Sequence, residues 1–541
     1  MTRDLMNTRP MFRAALLAAA AGAGCNAIIG LEVGELDSSS GSAGATSANA
    51  SAVGTGGGGG GAGGDGAGGD GSGGDGGGGG AGGEAALCGP TREGAVRGAS
   101  SAWGQLSGLS VAGIAARDGA VTAVIKEARE LPSMPGKVGF SVARWSPSGA
   151  LDTAYGMRTG ELPGSVWPEH LAVVSDTAYV TGWSDAPFTL LTPDGGCLIG
   201  LPDENGHRPS FLAALDPLGK CKWIWSVDAE FNTSPLALAA MPKRVVFAVS
   251  LSGQATAGTR DCALGPGDER GSTELVALDS DGACLWHRPF EAAAAVRIEE
   301  LVAAPETGEV LVFGDYDAPD AAIKIQTKEL PRTPDRDLFV ARVRLEDGEL
   351  TDLLPLRAPG SQSAARHGAA LLPGGDLAIS GTYSGPSFNF QDDCPLLPDA
   401  GSSENTFVAR VSRGGVVWSR GFGDAVKDQM AVRLEVDKSG AIYVAGTLEG
   451  EIPLESGETL AAGTDELSSY LIALDPRGNV LWGTAIAGNG TVAVWSVAPG
   501  ERPGDPLHIA GELTDTFPLM DFDRPIRAPG EGFIVRLKGM P

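Results

Sequence analysis

The chain has 541 residues, with 40 Lys and Arg against 67 Asp and Glu, giving a formal net charge of -27 that no basic cluster interrupts. A surface of that sign repels phosphate backbones, so nucleic-acid binding is excluded as a function class. Gly is abundant at 82 residues, yet much of it sits in one block, and the remainder has the composition of a globular protein.

Residues 1–24 read as an export signal. A short basic stretch carrying Arg3, Arg9 and Arg13 leads into the weakly apolar run AALLAAAAGAG. That run is too short to cross a bilayer as a helix. Ending on Gly22, Ala23, Gly24 and Cys25, the segment resembles a bacterial lipoprotein signal, with Gly22 where that pattern usually has an aliphatic residue. The resemblance implies that Cys25 is the acylated (palmitate-bearing) first residue of the mature chain and that the membrane is reached through a lipid anchor. Asn26, rather than Asp, is what enteric bacteria accept for sorting to the outer membrane. The other reading is an ordinary signal peptide followed by an incidental Cys.

Residues 25–87 cannot bury a core. From Leu36 to Ala86 the chain is almost entirely Gly, Ser, Ala and Asp, which predicts a disordered tether. At about 5–6 Å × √n for Gly-rich chain, some 50 residues reach roughly 35–42 Å. The GGDGAGGDGSGGDGG run lacks the apolar residue that calcium-binding nonapeptide repeats place in every copy, so its Asp residues read as solubilising.

Residues 88–541 carry a repeat. The runs FSVARW, FLAALD, ELVALD, LFVARV, TFVARV, YLIALD and GFIVRL align on Ala143, Ala214, Ala277, Ala341, Ala409, Ala473 and Val535, at intervals of 71, 63, 64, 68, 64 and 62. A second landmark runs in phase, with Gly182, Gly314, Gly381, Gly446 and Gly511 closing strands such as AIYVAG, and with Val124 and Val249 in the same slot of two other copies. Each run is short, β-branched or aromatic, and bounded by Gly, Pro, Asp and Ser, which is how strands read. Four strands in each of seven units predict an all-β fold, a single seven-bladed β-propeller of about 65 residues per blade.

The stretch YLIALDPRGNVLW closes a unit. Asp475-Pro476-Arg477-Gly478 has the type I turn signature, which Asp216–Gly219 and Asp279–Gly282 repeat. Nine residues beyond the aligned Ala stand Trp223, Trp286, Trp418 and Trp482, expected to pack between blades. The last unit lacks a final strand, whereas 93–105 precede the first copy as a spare segment. We therefore expect that segment to complete the last blade and remove an exposed edge.

Cys197 and Cys221 flank Ala214 by 17 and 7 residues, and Cys262 and Cys284 flank Ala277 by 15 and 7. The same two slots filled in consecutive units predict two disulfides joining an insert to a final strand, in keeping with an exported protein. Cys394 sits in the same insert slot and either pairs with Cys88 or stays free. No CxxC or neighbouring His favours zinc.

The unit 431–488, AVRLEVDKSGAIYVAGTLEG…SSYLIALDPRGNVLWGTAIAG, resembles the bacterial SBBP propeller repeat, loosely so over about 95–541. That resemblance implies an envelope or secreted propeller with no general enzymatic activity. The same stretch is similar to the motif of quinoprotein-like propellers, a group holding quinone dehydrogenases and an outer-membrane lipoprotein that scaffolds β-barrel assembly. Here the Ala-to-Trp spacing is one residue shorter, the Thr is missing and no Cys-Cys pair exists. The DSDGACLW stretch approaches a sialidase box out of register, and Tyr179, Tyr443 and Tyr470 fall within strands, where they are expected to pack.

His170, His207, His287, His367 and His508 are scattered through different units, and no nucleophile elbow, Walker loop or dinucleotide fingerprint appears. Asp392-Asp393 and Asp521/Asp523 are the carboxylate pairs open to a cation, and no cofactor is expected. The variable inserts between the second and third strands share one topological position, so they are expected to gather on one face. The expectation is a monomeric, lipid-anchored propeller at the outer membrane, binding a protein or glycan without catalysis. The alternative is a hydrolase or lyase acting on extracellular polymer, which a buried cluster of Glu, Arg and Tyr in the central pocket would favour.

Overall fold

The computed structural model describes residues between Ala95 and Leu537, with interruptions of which the longest are 127–137, 199–208 and 514–530. All belong to the second of two compact units, Gly82–Pro541. The signal segment, Cys25, the tether, Cys88, His207, Asp392, Asp393, Cys394, Asp521 and Asp523 lie outside the described residues.

Seven antiparallel sheets follow one another along the chain as blades: 111–158, 166–229, 232–290, 296–356, 361–422, 429–486 and 492–537. The first strands of successive blades abut one another, and blade one meets blade seven to close the ring. At that seam Ile114 N donates to Ser496 Oγ at 3.1 Å, and Val111, Ile114 and Ala123 share a core with Ala498, Ala510 and Ile534. The protein is a seven-bladed β-propeller.

The aligned residues Ala143, Ala214, Ala277, Ala341, Ala409, Ala473 and Val535 all lie on the third strand of their blade, buried. Directly across from the second-strand glycines stand aromatic residues of that third strand: Gly182 with Phe211, Gly314 with Phe339, Gly381 with Phe407, Gly446 with Tyr470, and Gly511 with Phe533. The ring lies over the bare Cα. On its other side a first-strand carbonyl, from Trp167, Arg297, Ser363, Met430 or Ala493, occupies the space of a Cβ. The glycine is needed for room. In blade one the slot opposite the first strand belongs to Ile125, which pairs with Val111, and not to Val124, which pairs with Gly113.

The carbonyl turns inward because each first strand bulges at the same place. The bulge gives one extra residue in six blades (Ala112, Glu169, Leu236, Glu299, Val432 and Trp495) and a longer excursion over 365–368 in blade five.

The repeated turn is one half of a joint between blades. Asp475 O accepts from Gly478 N at 2.9 Å, while its Oδ1 accepts from Arg477 N and Asn479 N at 2.8 and 2.9 Å, with Gly478 at φ 85°. The Trp of the preceding blade supplies the other half. Trp223 Nε1 donates to Ser280 O at 2.8 Å, Trp286 Nε1 to Leu345 O at 2.8 Å, and Trp418 Nε1 to Pro476 O at 3.1 Å. A Cβ on Gly478 would stand 2.8 Å from the Trp418 ring, and one on Gly348 would stand 2.7 Å from Trp286. Trp482 is equally buried, and the turn equivalent for it falls beyond Leu537. Replacing Trp286 by Phe keeps most of the apolar area but removes one of two donors to the Leu345 carbonyl, which Arg244 also reaches. Urea unfolding should show a loss of about 1 kcal/mol.

Cys197 joins Cys221 and Cys262 joins Cys284, with Cα atoms 5.9 and 5.6 Å apart. Each bond ties an insert to the start of the fourth strand. The inserts do not all gather on one face. In blades two, four and six they form two-stranded hairpins, at Thr189–Leu190 with Cys197–Leu198, Ile323–Ile325 with Lys328–Leu330, and Glu451–Pro453 with Thr459–Ala461. These lie along the fourth strand. Ile325, Leu330, Ile452 and Leu460 are buried there, and a Cβ on Gly483 would stand 3.2 Å from both Leu454 and Leu460. A few apolar residues in each polar-looking insert suffice to pull it onto the rim.

The segment before blade one closes the ring. Ser101–Leu106 pairs antiparallel with Glu531–Leu537 as the fourth strand of blade seven. Ahead of it Ala95–Val96 pairs parallel with Trp482 and Gly483 of blade six.

Candidate functional site

The bulges place charged side chains at the axis. Blade two contributes Glu169 and His170 from Val166–Val174, and blade four contributes Arg297, Glu299 and Glu300 from Val296–Ala304. Arg366 and His367 come from Ser361–Leu371 in blade five, and Arg433 and Glu435 from Gln429–Val436 in blade six. His170 and His367 meet edge to face across the axis, ring centroids 4.7 Å apart, although they are three blades apart in the ring. The channel is therefore plugged at that level.

The plug is tied together by ion pairs. Glu300 Oε2 lies 2.9 Å from His367 Nδ1, and its Oε1 accepts from Leu301 N at 3.0 Å. Arg366 pairs with Glu169, which also accepts from Trp183 Nε1 at 3.3 Å, and Trp183 stacks on Trp167 at 3.9 Å. Arg433 Nε donates to Glu435 Oε1 at 2.9 Å. His367 holds φ 57°, a conformation that non-Gly residues rarely adopt, which the four-residue excursion of blade five imposes. His170 is buried with neither ring nitrogen bonded.

Burial dominates the protonation of this cluster. It pushes the Glu300 carboxyl up to about 7, against the opposing pull of Arg433. Glu299 also rises to about 7 through burial and then Asp315, while Glu435 is raised, again chiefly by burial. His170 and His367 are held well below the ordinary imidazole range by burial and by neighbouring groups, among them Arg366 and Arg433. The plug thus tends toward neutrality, with uncharged imidazoles beside carboxyls that titrate near pH 7.

For Glu300 the folded value lies above the unfolded one, so ionising it costs stability. That cost is absent below the unfolded value, near 4.5, and fully developed above about 7. Gln can accept from Leu301 N with its amide oxygen and donate from its amide nitrogen to the Nδ1 of a neutral His367, without ionising. Glu300→Gln should therefore leave stability near wild type at pH 5 and raise it at pH 8, by about 3 kcal/mol at most. Melting temperatures at the two pH values check this.

Above the plug, on the side where first strands begin and second strands end, a cavity of about 310 Å³ opens. It is lined by Pro235, Leu236, Ser250, Thr273, Val296, Arg297, Ile298, Glu299 and Arg366. No set of three or more potential metal ligands occurs among the described residues, and no helix among them is long and apolar enough to cross a membrane.

Of the residues singled out in the sequence, His170 and His367 belong to this cluster and the others described lie elsewhere. Trp223, Trp286, Trp418 and Trp482 stand at blade joints, and the four bonded Cys lie at the second and third blades' rims. Tyr179, Tyr443 and Tyr470 are buried in strands, His508 is buried in blade seven, and His287 lies on an outer strand near Glu274. The axial cluster contains Glu, Arg and His but none of these Tyr. Its histidines, which the sequence scatters through different units, are brought together by the ring. The signal for it was charge at one slot of the first strand: Glu169-His170, Glu299-Glu300, Arg366-His367 and Arg433 interrupt otherwise apolar runs.

The fold and site define a propeller whose axis is plugged, with an open cavity beside the plug. The chain matches no family model and no curated protein. In fold it is similar to BamB from Moraxella catarrhalis, at 11% identity and TM-score 0.36, covering 81% of this chain and 99% of that one. It is also similar to a nidogen/laminin complex structure (9%, TM-score 0.27, covering 58% and 85%) and to Trypanosoma rangeli sialidase in complex with sialic acid (10%, TM-score 0.30, covering 83% and 58%). These likenesses concern architecture alone.

Proposed function

We propose that this chain is a lipid-anchored propeller of the bacterial cell envelope, held off the membrane by its glycine-rich tether and acting as a non-catalytic binding module for a protein or glycan. The observation that carries the binding reading is the cavity at the mouth of the plugged channel, where apolar walls and a few convergent polar groups coincide. Cystines in two consecutive blades support an oxidising compartment, and the context of Cys25 together with the SBBP-like repeat supports the anchor and the envelope. Against turnover, Glu169, Glu300 and Glu435 are each engaged by a fixed neighbour and are poorly placed to move a proton for a substrate.

The test uses the full chain extracted from its native membrane. Intact-mass spectrometry should give a mass beginning at Cys25 plus acyl groups, and a cross-linking screen against envelope proteins and glycans should capture one saturable partner. An unacylated mass would remove the anchor, and no partner at any concentration would remove the binding reading. The second reading, an enzyme acting on extracellular polymer, is favoured by Glu299, whose carboxyl titrates near 7 at the cavity wall. New reducing ends or unsaturated products from polysaccharide, abolished in Glu299→Gln, would establish it.

A further inference from the structure

Two guanidinium groups face the cavity, and neither is fully committed. Arg297 reaches Asp315 only at 4.0 Å, and that carboxylate also faces Arg336 at 3.7 Å and accepts from Ala364 N at 3.3 Å. The Arg297 side chain remains 59% exposed. Arg366 is anchored by Glu169 on one edge, leaving the other donors of its fork free. On a molecule of net charge -27, two arginines lining one cavity offer guanidinium donors to a small anion, beside the Glu169, Glu299 and Asp315 carboxyls that balance their charge. Ser250, Thr273 and Glu299 add hydroxyl and carboxyl groups, and Leu236, Pro235, Val296 and Ile298 supply apolar wall.

We propose that the cavity binds a small hydroxylated carboxylate of the sugar-acid class, its carboxylate held between Arg297 and Arg366 and its hydroxyls facing Ser250, Thr273 and Glu299. This rests on the binding reading above and names its ligand chemistry. A planar carboxylate suits two guanidinium forks better than a compact point charge would. A volume of about 310 Å³ stands at the lower end of the usual range for ligand sites, so the occupant is a single residue or the end of a chain. The plug beneath prevents anything from threading through.

The experiment is isothermal titration calorimetry on the full-length protein in detergent, with D-glucuronate, D-glucose and inorganic phosphate as probes. Glucuronate should bind at one saturable site, at least about tenfold more tightly than glucose, which lacks the carboxylate, and more tightly than phosphate. Arg297→Gln should weaken glucuronate about tenfold while keeping the wild-type melting temperature, because that side chain is half in solvent. Should Arg297→Gln fail to fold, Arg297→Lys keeps the charge, loses the fork, and should still weaken binding severalfold. Absence of saturable glucuronate binding, tighter phosphate binding, or an Arg297 variant with unchanged affinity would each overturn the assignment. Equal affinity for glucose would also overturn it while leaving the binding reading intact. The cross-linking screen described above decides that reading separately.

Discussion

Deletion of residues 101–106 is expected to lower the melting temperature by on the order of 10 °C and to shift the parent's elution profile to aggregates. Those six residues form the fourth strand of blade seven, paired with Glu531–Leu537 through Gln105 opposite Ile534 and Leu106 opposite Phe533. Without them the third strand presents a bare row of backbone donors and acceptors beside Phe533, Ile534 and Val535, all of which are fully buried in the intact protein. Such an edge recruits other chains. The damage also spreads, because blade seven bears on blade one at Ile114 and Ser496, so a loosened last blade weakens the seam of the ring. Removing only residues 95–96, which hold two residues of blade six in parallel pairing, should cost far less. Thermal unfolding with size-exclusion chromatography separates the two. Equal melting of the 101–106 deletion and the parent would show that the ring closes by another route.

Gly446→Ala is expected to be the most damaging single methyl addition in the sixth blade, costing about 3 kcal/mol or more. The new Cβ would enter the Met430 carbonyl and stand 2.6 Å from the Tyr470 ring, and neither can retreat. The carbonyl is fixed by the bulge at Val432. Tyr470 is fully buried, with its hydroxyl 2.7 Å from Thr406 Oγ1 in the neighbouring blade. Moving the ring would break a contact between blades. Gly457→Ala is the control: nothing lies near its Cβ, and only its positive φ of 83° opposes the change. Chemical denaturation should place the Gly457 variant within about 1 kcal/mol of the parent and the Gly446 variant well below it.

The blades were legible in the sequence because every copy keeps the residues that geometry demands. The small residue at Ala214, Ala277 or Ala473 fits beneath its neighbours. The second-strand glycine opposite the bulge makes room for a carbonyl, and the turn glycine takes a positive φ against the preceding blade's indole. The closing strand could be read from what the last copy lacks. The axial cluster was hidden for a physical reason. A bulge breaks the two-residue alternation, so Glu169, Glu299 and Val432 do not announce which way they face, and His170 and His367 are neighbours only once a ring carries blade two opposite blade five. The hairpin inserts were misread as face loops because Ile325, Ile452 and Leu460 are too few to look like a core, yet enough to fold back onto the fourth strand of their blade.

The clasp between 101–106 and 531–537 joins strands more than 400 residues apart in the sequence. A chain that emerges from its amino terminus can assemble blades one to six as they appear, since the antiparallel strands of each are neighbours in sequence, but the strand 101–106 must wait for its partner until the third strand of blade seven has been made. Through that interval the strand remains open to proteases and to other copies, and bringing its ends together carries the slow search of a very long loop. A chain stopped anywhere before Glu531 never finds that partner. Residues 531–537 thus decide, for all seven blades at once, whether the ring closes or the chain is cleared away.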